Sequence, residues 1–334
     1  MALFKTTADL KAVLAKAVGD IVGDVMPFIE LATEKYLERY LGAEMVEELD
    51  EAYNSETPMS DELAELLYYA QKPVAWFAML MYADQGGVLI TKSGFRIAST
   101  DEMKTAFKWQ VDELKTSYRE MGYYGIESMI KFLDKHLADY ATYLDSTAFN
   151  SNREHFINYA SDFEQYYFID GSRNVYEVLR AQMREIENTL VKDTLGEDYY
   201  DEFKAKIIAD EVNSDDALIY ADLKSAIARL TIAQGILSSA IKITNLGVMV
   251  NSYEMAGYDV NTNQKPASEL QKSTGYYQAF SSGQMFLKRV ATYLNANASG
   301  EKFETYFESD TYADPAAEDA SFDNSDEGAR IFVT

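Results

Sequence analysis

The chain has 334 residues, of which 47% are hydrophobic, so it is long enough to fill two cores of ordinary size and is not disordered overall. It contains no cysteine, which excludes disulfides and thiolate metal sites and fits synthesis in the cytoplasm. Its formal net charge of -25 disfavours direct binding to nucleic acid or anionic lipid, and predicts an acidic surface that either serves solubility or stays close to DNA without binding it.

The N-terminal stretch, MALFKTTADLKAVLAKAV, alternates apolar with charged residues and lacks the unbroken apolar run of a secretory signal. From Phe28 to Leu41 the apolar residues recur near helical spacing, and this pattern predicts a helix that ends at Gly42. A short amphipathic helix is predicted to follow over residues 45–53.

Ser60 marks the predicted start of a long apolar helix, because its hydroxyl can cap the first turn. Asp61 and Glu62 stand in that first turn, where the helix dipole favours acidic side chains. Pro73 falls inside the pattern and predicts a kink or a split. The most hydrophobic stretch, residues 75–83, is too short to span a membrane.

Residues 88–98 predict a small β-hairpin that projects from the helices. The stretch is rich in strand-forming side chains such as Phe95, and Lys92, Ser93 and Gly94 supply the turn.

Ser99 and Glu102 form a capping-box pair that predicts the next helix start. Two amphipathic helices, about residues 100–120 and 125–146, complete the pattern. The first part of the chain therefore predicts a helical bundle with one hairpin.

The same pattern occurs a second time in the chain. ITKSGFRI at residues 90–97 has the counterpart ITNLGVMV at residues 243–250, an offset of 153 residues, and Gly42 has the counterpart Gly196 at an offset of 154. Further pairs extend the match: Ser60 to Glu62 with Ser214 to Asp216, Ala141 to Leu144 with Ala291 to Leu294, and Glu154, Phe156 and Tyr159 with Glu301, Phe303 and Tyr306.

The offset between these pairs falls along the chain, which predicts that the second copy has lost a few loop residues. We therefore expect a mainly α protein built by tandem duplication of one helical-bundle domain, with copies at residues 1–165 and 166–310. Each copy carries one small β-hairpin, the second near 241–251. The second hairpin is centred on Asn245, Leu246 and Gly247, followed by Val248.

The remaining segment, residues 311–334, differs in composition from both copies. It is acidic, contains Arg330 as its one basic residue and has almost no periodic apolar pattern, so it is not expected to fold alone. It is either a disordered tail or an arm that becomes ordered on a neighbouring subunit. In the second case Ile331, Phe332 and Val333 would add a strand or fill a groove.

The residues that catalysis requires are scarce in this sequence. The chain has two histidines, His136 on a predicted amphipathic helix and His155 in a predicted loop, and neither has a second histidine at metal-ligand spacing. No phosphate-binding glycine motif and no nucleophile motif occurs, and residues 323–328 match a calcium loop only weakly. We therefore expect no enzyme activity, no cofactor and no metal site.

Several of these elements resemble the head–tail connector, or adaptor, proteins of tailed bacteriophages. In that family a segment of the form ATxxLxxYLG precedes a helix that often reads AxxYLxAHLLAL, and this chain has ATEKYLERYLG at 32–42 and DELAELLYYA followed by WFAMLMYADQGG within 61–87. The resemblance covers about residues 25–100 and, more weakly, 178–250. The duplicated, acidic form is similar to uncharacterised proteins of phages and prophages of gut bacteria. It departs from the pattern because the usual connector is about one copy long, and because Phe77 and Met79 occupy the region where the family commonly has a histidine.

The resemblance implies a dodecameric ring of this chain in the virion neck, assembled in the host cytoplasm and docked between the portal protein and the tail or other neck proteins. DNA would pass nearby without specific binding, and no membrane would be involved. The two hairpins and the C-terminal arm are the expected assembly contacts, although the hairpins equally suit a role as turns within each domain. The residues concerned are Lys92, Ser93, Gly94, Phe95, Asn245, Leu246, Gly247, Val248, Ile331, Phe332 and Val333.

Two other hypotheses stay open at this point. The chain could be a helical protein–protein interaction module of phage or host origin, which would remain small at any concentration. It could instead be an enzyme that uses carboxylates and a divalent metal, in which case magnesium, manganese or calcium would raise its thermal stability.

Overall fold

The structure is a computed structural model that is mostly helical. It describes residues 3–14, 22–85, 88–91, 94–97, 108–209, 211–238, 241–244, 247–250 and 269–315. Contacts divide the chain into two compact units, Met1–Val178 and Leu179–Thr334. This boundary lies inside a helix and later than the predicted junction at residue 165, because buried charges bind the first turn of that helix into unit 1.

Unit 1 begins with the helices α1 (Thr7–Val13) and α2 (Val22–Ala32), and α2 continues through a π-helical turn (Thr33–Leu37) into α3 (Glu38–Leu41). Next come α4 (Ala43–Asn54), α5 (Asp61–Gln85), the strands β1 (Val88–Thr91) and β2 (Gly94–Ile97), and α6 (Lys108–Lys135). A 3₁₀ turn (Leu137–Asp139) and three short helices follow: α7 (Ala141–Leu144), α8 (Thr147–Asn152) and α9 (Ala160–Phe163).

The helix α10 (Arg173–Ile186) contains the boundary between the units. Unit 2 then has a π-helical turn (Glu187–Val191), α11 (Lys192–Leu195), α12 (Glu197–Ile208) and α13 (Ser214–Leu237). The strands β3 (Ile241–Thr244) and β4 (Gly247–Val250), the helix α14 (Glu269–Asn297) and the short helix α15 (Glu304–Phe307) complete it. The order of elements from α2 to α7 thus recurs from α10 to α15, so the predicted helical fold and tandem duplication are confirmed.

The predicted helix stop at glycine is confirmed in both units. α3 ends at Gly42, whose φ is 88°, and α11 ends at Gly196, whose φ is 76°. Only glycine adopts such angles without strain, so each glycine lets the chain turn directly into a 12-residue helix.

The long helices α5 and α13 begin with a side-chain cap at equivalent positions. The Ser60 hydroxyl accepts a hydrogen bond from the Leu63 amide at 3.3 Å, and the Asn213 side-chain oxygen accepts from the Asp215 and Asp216 amides at 2.8 and 2.9 Å. The predicted pairing of Ser60 with Ser214 is therefore wrong by one residue. The loop before α13 is one residue shorter than the loop before α5, which sets the offset at 153.

Pro73 does not split α5, which runs unbroken for 25 residues. α6 packs against this point through Gly125, where an added Cβ would lie 2.9 Å from the proline nitrogen. The split predicted from the sequence is therefore wrong.

The two helices predicted over residues 100–120 and 125–146 are also wrong, because α6 is a single helix of 28 residues. Its Gly122 does not end the helix but admits the Phe77 ring, which would lie 2.7 Å from an added Cβ. Gly283 of α14 admits Leu230 in the same way, with a distance of 2.6 Å. These two contacts are equivalent, so the offset between α6 and α14 is 161.

Among the described residues, each unit has one antiparallel strand pair, which stands between its two longest helices in the sequence. Thr91 pairs with Gly94 at the closed end of β1 and β2, and Thr244 pairs with Gly247 at the closed end of β3 and β4. The residues that connect the paired strands lie outside the described residues.

The sequence match proposed for the end of each copy is wrong. Ala141–Leu144 form the separate helix α7, whereas residues 291–294 lie inside α14. The true counterpart of Tyr143 is Tyr306, at an offset of 163, because the hydroxyl of the serine three residues after each tyrosine donates to that tyrosine's carbonyl, at 2.6 and 2.7 Å. The second copy has therefore gained residues, mainly between its hairpin and α14, rather than lost them.

None of the helices among the described residues combines the length and the apolar character that a membrane span requires.

Candidate functional site

The residues predicted as assembly contacts fall into two groups. Gly94 and Phe95 lie in β2, and Gly247 and Val248 lie in β4. The others lie outside the described residues: Lys92, Ser93, Asn245, Leu246, Ile331, Phe332 and Val333. The described part of the predicted site is therefore the two pairs of strands.

A π-helical turn followed by a glycine is the most distinctive feature that both units share. The turns are Thr33–Leu37 and Glu187–Val191, and each precedes its glycine by one short helix. π-helical turns are rare and occur often at functional sites, where they change the face that a helix presents.

The loop after α7 in unit 1 and the loop after α15 in unit 2 each pack directly on this glycine. An added Cβ at Gly42 would lie 3.0 Å from the Ser146 Cβ, and one at Gly196 would lie 3.3 Å from the Ser309 Cβ. A larger residue at either glycine would therefore displace the loop as well as strain the backbone. The same closure in both units indicates that it belongs to the basic fold of the repeat.

The first residue of the π-helical turn is buried in both units but differs in chemistry. The Thr33 hydroxyl donates to the Ile29 carbonyl at 2.9 Å. Glu187 instead forms an ion pair with Lys204, with 2.6 Å between Nζ and the carboxylate. Both arrangements give the buried polar group a partner, as burial requires.

Arg173 is the centre of a buried charge cluster in unit 1. Its guanidinium, only 2% exposed, contacts the Glu177 carboxylate at 2.8 Å and lies 3.9 Å from the Glu127 carboxylate. It also donates to the Asn158 carbonyl at 2.9 Å. Arg39 approaches Glu177 from the exposed side at 3.1 Å, so two cations share this carboxylate.

Glu127 joins α6 of unit 1 to α9. Its two carboxylate oxygens accept from the amides of Ala160 and Ser161 at 2.9 and 3.1 Å, and Lys131 lies 3.0 Å away. Burial alone would raise the pKa of this carboxyl, but the Lys131 hydrogen bond and charge, the Ser161 amide and the Arg173 charge outweigh it. The pKa of Glu127 therefore lies below its ordinary value, so the carboxylate is ionised at neutral pH. It holds α9 through its hydrogen bonds to the Ala160 and Ser161 amides.

Arg173 keeps its charge for the same reason. Burial lowers the pKa of its guanidinium, but Glu177, Tyr176, Tyr40 and Glu127 outweigh burial and raise it overall. The cluster is thus a set of paired groups that are charged at neutral pH, which suits a structural joint. This cluster was not predicted from the sequence, where its only signal is the spacing of four residues between Arg173 and Glu177.

His155 lies in a loop, as predicted, whereas the predicted placement of His136 on a helix is wrong, because α6 ends one residue before it. His136 follows directly after α6 and is partly exposed, with Nδ1 3.7 Å from Asp139. His155 is buried in the loop after α8, with Nε2 3.1 Å from Glu154. Within the described ranges, no group of three histidine, aspartate or glutamate residues is placed to hold a metal ion.

Comparison with known families gives one match, which occurs twice along the chain. A family model described as a family of unknown function (DUF6712) matches residues 28–153 and again residues 191–316. The two matches contain the π-helical turn and glycine of unit 1 and the glycine of unit 2. Neither the curated proteins nor the solved structures contain a match.

Proposed function

We propose that this chain, which belongs to the DUF6712 family and carries its domain twice, is a non-catalytic structural protein of the neck of a tailed-bacteriophage virion. It links the portal protein to the tail or to other neck proteins, as a head–tail connector. The observation that carries the proposal is the strand pair that each unit holds between its two longest helices.

A strand pair of this kind is suited to assembly. Among the described residues each sheet has only two strands, so each strand has one edge whose backbone groups are not paired within the sheet. Such edges bind a strand from another chain through directional backbone hydrogen bonds. The proposed subunits therefore clasp each other through β1 and β2, and through β3 and β4.

The charge of the chain fits a ring around DNA. With a net charge of -25, a ring of many copies repels the phosphate backbone, so that DNA passes without being retained. The proposed ring is dodecameric, is assembled in the host cytoplasm and makes no contact with a membrane.

The test is the assembly state of the full chain, measured by size-exclusion chromatography with light scattering, alone and with portal protein. We expect a large ring-sized species in at least one of the two samples. A chain that stays small in both, at every concentration, would contradict the proposal and support a protein–protein interaction module instead.

Variants of the strands test whether the subunits assemble through the strand pair of each unit. Ile90→Pro together with Ile243→Pro removes a backbone N–H from β1 and β3 and should abolish the large species, because proline interrupts strand pairing. Ile90→Thr with Ile243→Thr is the matched control, since threonine forms strands and keeps the N–H, and it should assemble normally. Circular dichroism checks that both variants keep the helical content of the native chain.

A further inference from the structure

A groove on the surface of unit 1 is lined by three apolar and three polar side chains. We call it the unit-1 groove. It has a volume of about 550 Å³, within the range of pockets that hold several side chains of a ligand. Leu31 is its most exposed hydrophobic residue, with half of its surface accessible. The lining residues are Phe28, Leu31, Glu34, Lys35, Met81 and Gln85.

The equivalent positions in unit 2 are polar and bonded to one another. By the offsets of 154 for the first helix and 153 for the long helix, Leu31 corresponds to Glu185 and Met81 to Gln234. The Gln234 side-chain nitrogen donates to both carboxylate oxygens of Glu185 at 3.1 Å.

A second pair of hydrogen-bonded polar side chains occupies the rest of this surface in unit 2. Phe28 corresponds to Gln182 and Gln85 to Ser238, and the Gln182 side-chain nitrogen donates to the Ser238 hydroxyl at 3.4 Å. The same surface therefore bridges its two helices with hydrogen bonds in unit 2, whereas in unit 1 it exposes apolar groups to solvent. A single exposed leucine is ordinary, but a groove that exposes apolar groups on only one of two equivalent surfaces is a candidate binding surface of unit 1.

We propose that the unit-1 groove binds the apolar segment Ile331, Phe332 and Val333 of a second copy of this chain. This inference rests on the proposed function, because a segment from a neighbour requires that the chain assembles with itself. The described part of unit 2 ends at Pro315, and the residues after it could extend over about 60 Å, enough to reach another subunit.

The sequence of this segment complements the groove. Its three consecutive large apolar residues match the apolar lining formed by Phe28, Leu31 and Met81. The charged residues of the groove are Glu34 and Lys35. Arg330 directly precedes the apolar segment and opposes Glu34 in sign, and Asp326 and Glu327 a few residues earlier oppose Lys35.

Disulfide trapping tests the proposal without background, because the native chain has no cysteine. A full chain with Leu31→Cys is mixed with a full chain carrying Phe332→Cys under mild oxidation. We expect a disulfide between the two chains, identified by mass spectrometry of the linked peptides. The matched control is Glu185→Cys, the equivalent position of unit 2, mixed with the same Phe332→Cys chain.

A bound segment raises the local thiol concentration to the millimolar range, so the Leu31→Cys chain should link at least about tenfold more than the control. Adding Met81→Gln to the Leu31→Cys chain should reduce linking toward the control level, because it introduces the polar residue of unit 2 on the facing helix. Equal linking of Leu31→Cys and Glu185→Cys overturns the proposal, as does linking that Met81→Gln leaves unchanged. A chain that carries both cysteines and links only to itself also overturns the assignment to a neighbour.

The result is separable from the test of the proposed function. Light scattering reports whether the large species forms, and the disulfide reports whether the segment occupies the unit-1 groove. A ring without the link overturns this inference alone, and a link without a ring overturns the neck assignment alone.

Discussion

Thr33 of unit 1 and Glu187 of unit 2 begin the same π-helical turn, yet one is satisfied by a backbone carbonyl and the other by Lys204. In unit 1 the position equivalent to that lysine is Asp50, so the charge is reversed where no buried carboxylate needs it. The backbone of this repeat therefore tolerates different buried polar groups, provided that each has a partner.

The charge cluster around Arg173 also differs between the two units. Glu127 on α6 corresponds to Lys288 on α14 by the offset of 161, so unit 2 has a cation where unit 1 has the carboxylate that binds α9. By contrast, both units keep the positive-φ glycine and the serine that packs on it. The shared features are those that set the backbone path, and the differing features are those that pair charges.

The largest expected effect comes from removing the centre of the unit 1 cluster. Arg173→Ala leaves the Glu177 and Glu127 carboxylates buried with part of their compensation lost, so the free energy of unfolding should fall by about 3–5 kcal/mol. Urea unfolding measures the loss, and hydrogen exchange should locate it in unit 1.

An exposed ion pair of unit 2 provides the control for this experiment. Arg289 lies 3.2 Å from Asp222 and more than half of its side chain is exposed, so Arg289→Ala should lower the free energy of unfolding by less than about 1 kcal/mol. Equal losses for the two arginine variants would contradict the structural role of the cluster.

A transplanted ion pair tests whether the two π-helical turns are interchangeable. Thr33→Glu places a buried carboxylate in unit 1 without the lysine of unit 2, and the free energy of unfolding should fall by roughly 3 kcal/mol. Adding Asp50→Lys supplies the equivalent of Lys204 and should recover at least half of that loss. Thermal or urea unfolding of the single and double variants completes the cycle, and a double variant no more stable than Thr33→Glu would contradict the equivalence of the turns.

The glycines should behave alike in the two units. Gly42→Ala and Gly196→Ala each force a side chain into a positive φ and against a serine, so each should lower the free energy of unfolding by about 1–3 kcal/mol. Gly300→Ala is the control, because an added Cβ there would have no atom within 4 Å, and its effect should stay within about 0.5 kcal/mol. If Gly42→Ala left the free energy of unfolding unchanged while Gly196→Ala lowered it, the packing of the loop on the glycine would differ between the units.

The features that could be predicted from the sequence are those with local causes. Three such features act on the backbone over only a few residues: a glycine after an apolar helical pattern, a serine before acidic residues, and a run of four strand-forming residues. Gly42 and Ser60 occupy the predicted roles. The duplication was also detectable, because the local patterns recur at a nearly constant offset.

The features that could not be predicted depend on packing between distant residues. Gly122 and Gly125 interrupt a helical pattern in the sequence, but in the fold they admit Phe77 and Pro73 and the helix continues through them. The four-residue match between 141–144 and 291–294 misled the alignment for the same reason, because so short a stretch takes its conformation from its surroundings. The hydrogen bond from Ser146 to the Tyr143 carbonyl, repeated in unit 2, identifies the true counterpart.

The smallest expected effect is confined to acidic solution, where Glu127 of the unit 1 charge cluster should become protonated. Since the pKa of Glu127 is lowered in the folded chain, its contribution to stability is complete above the ordinary value of 4.5 and is lost as the pH falls below that value. Glu127→Gln should therefore flatten the fall in unfolding free energy below pH 4.5, measured by urea unfolding at a series of pH values. Glu197→Gln in unit 2 is the control. Lys192 also lowers the pKa of Glu197, but Glu197 is exposed and solvent screens the pair, so its replacement should leave the slope close to that of the native chain. If Glu127→Gln and the native chain lose stability in parallel on acidification, the carboxylate that binds α9 is not what distinguishes the acid response of unit 1.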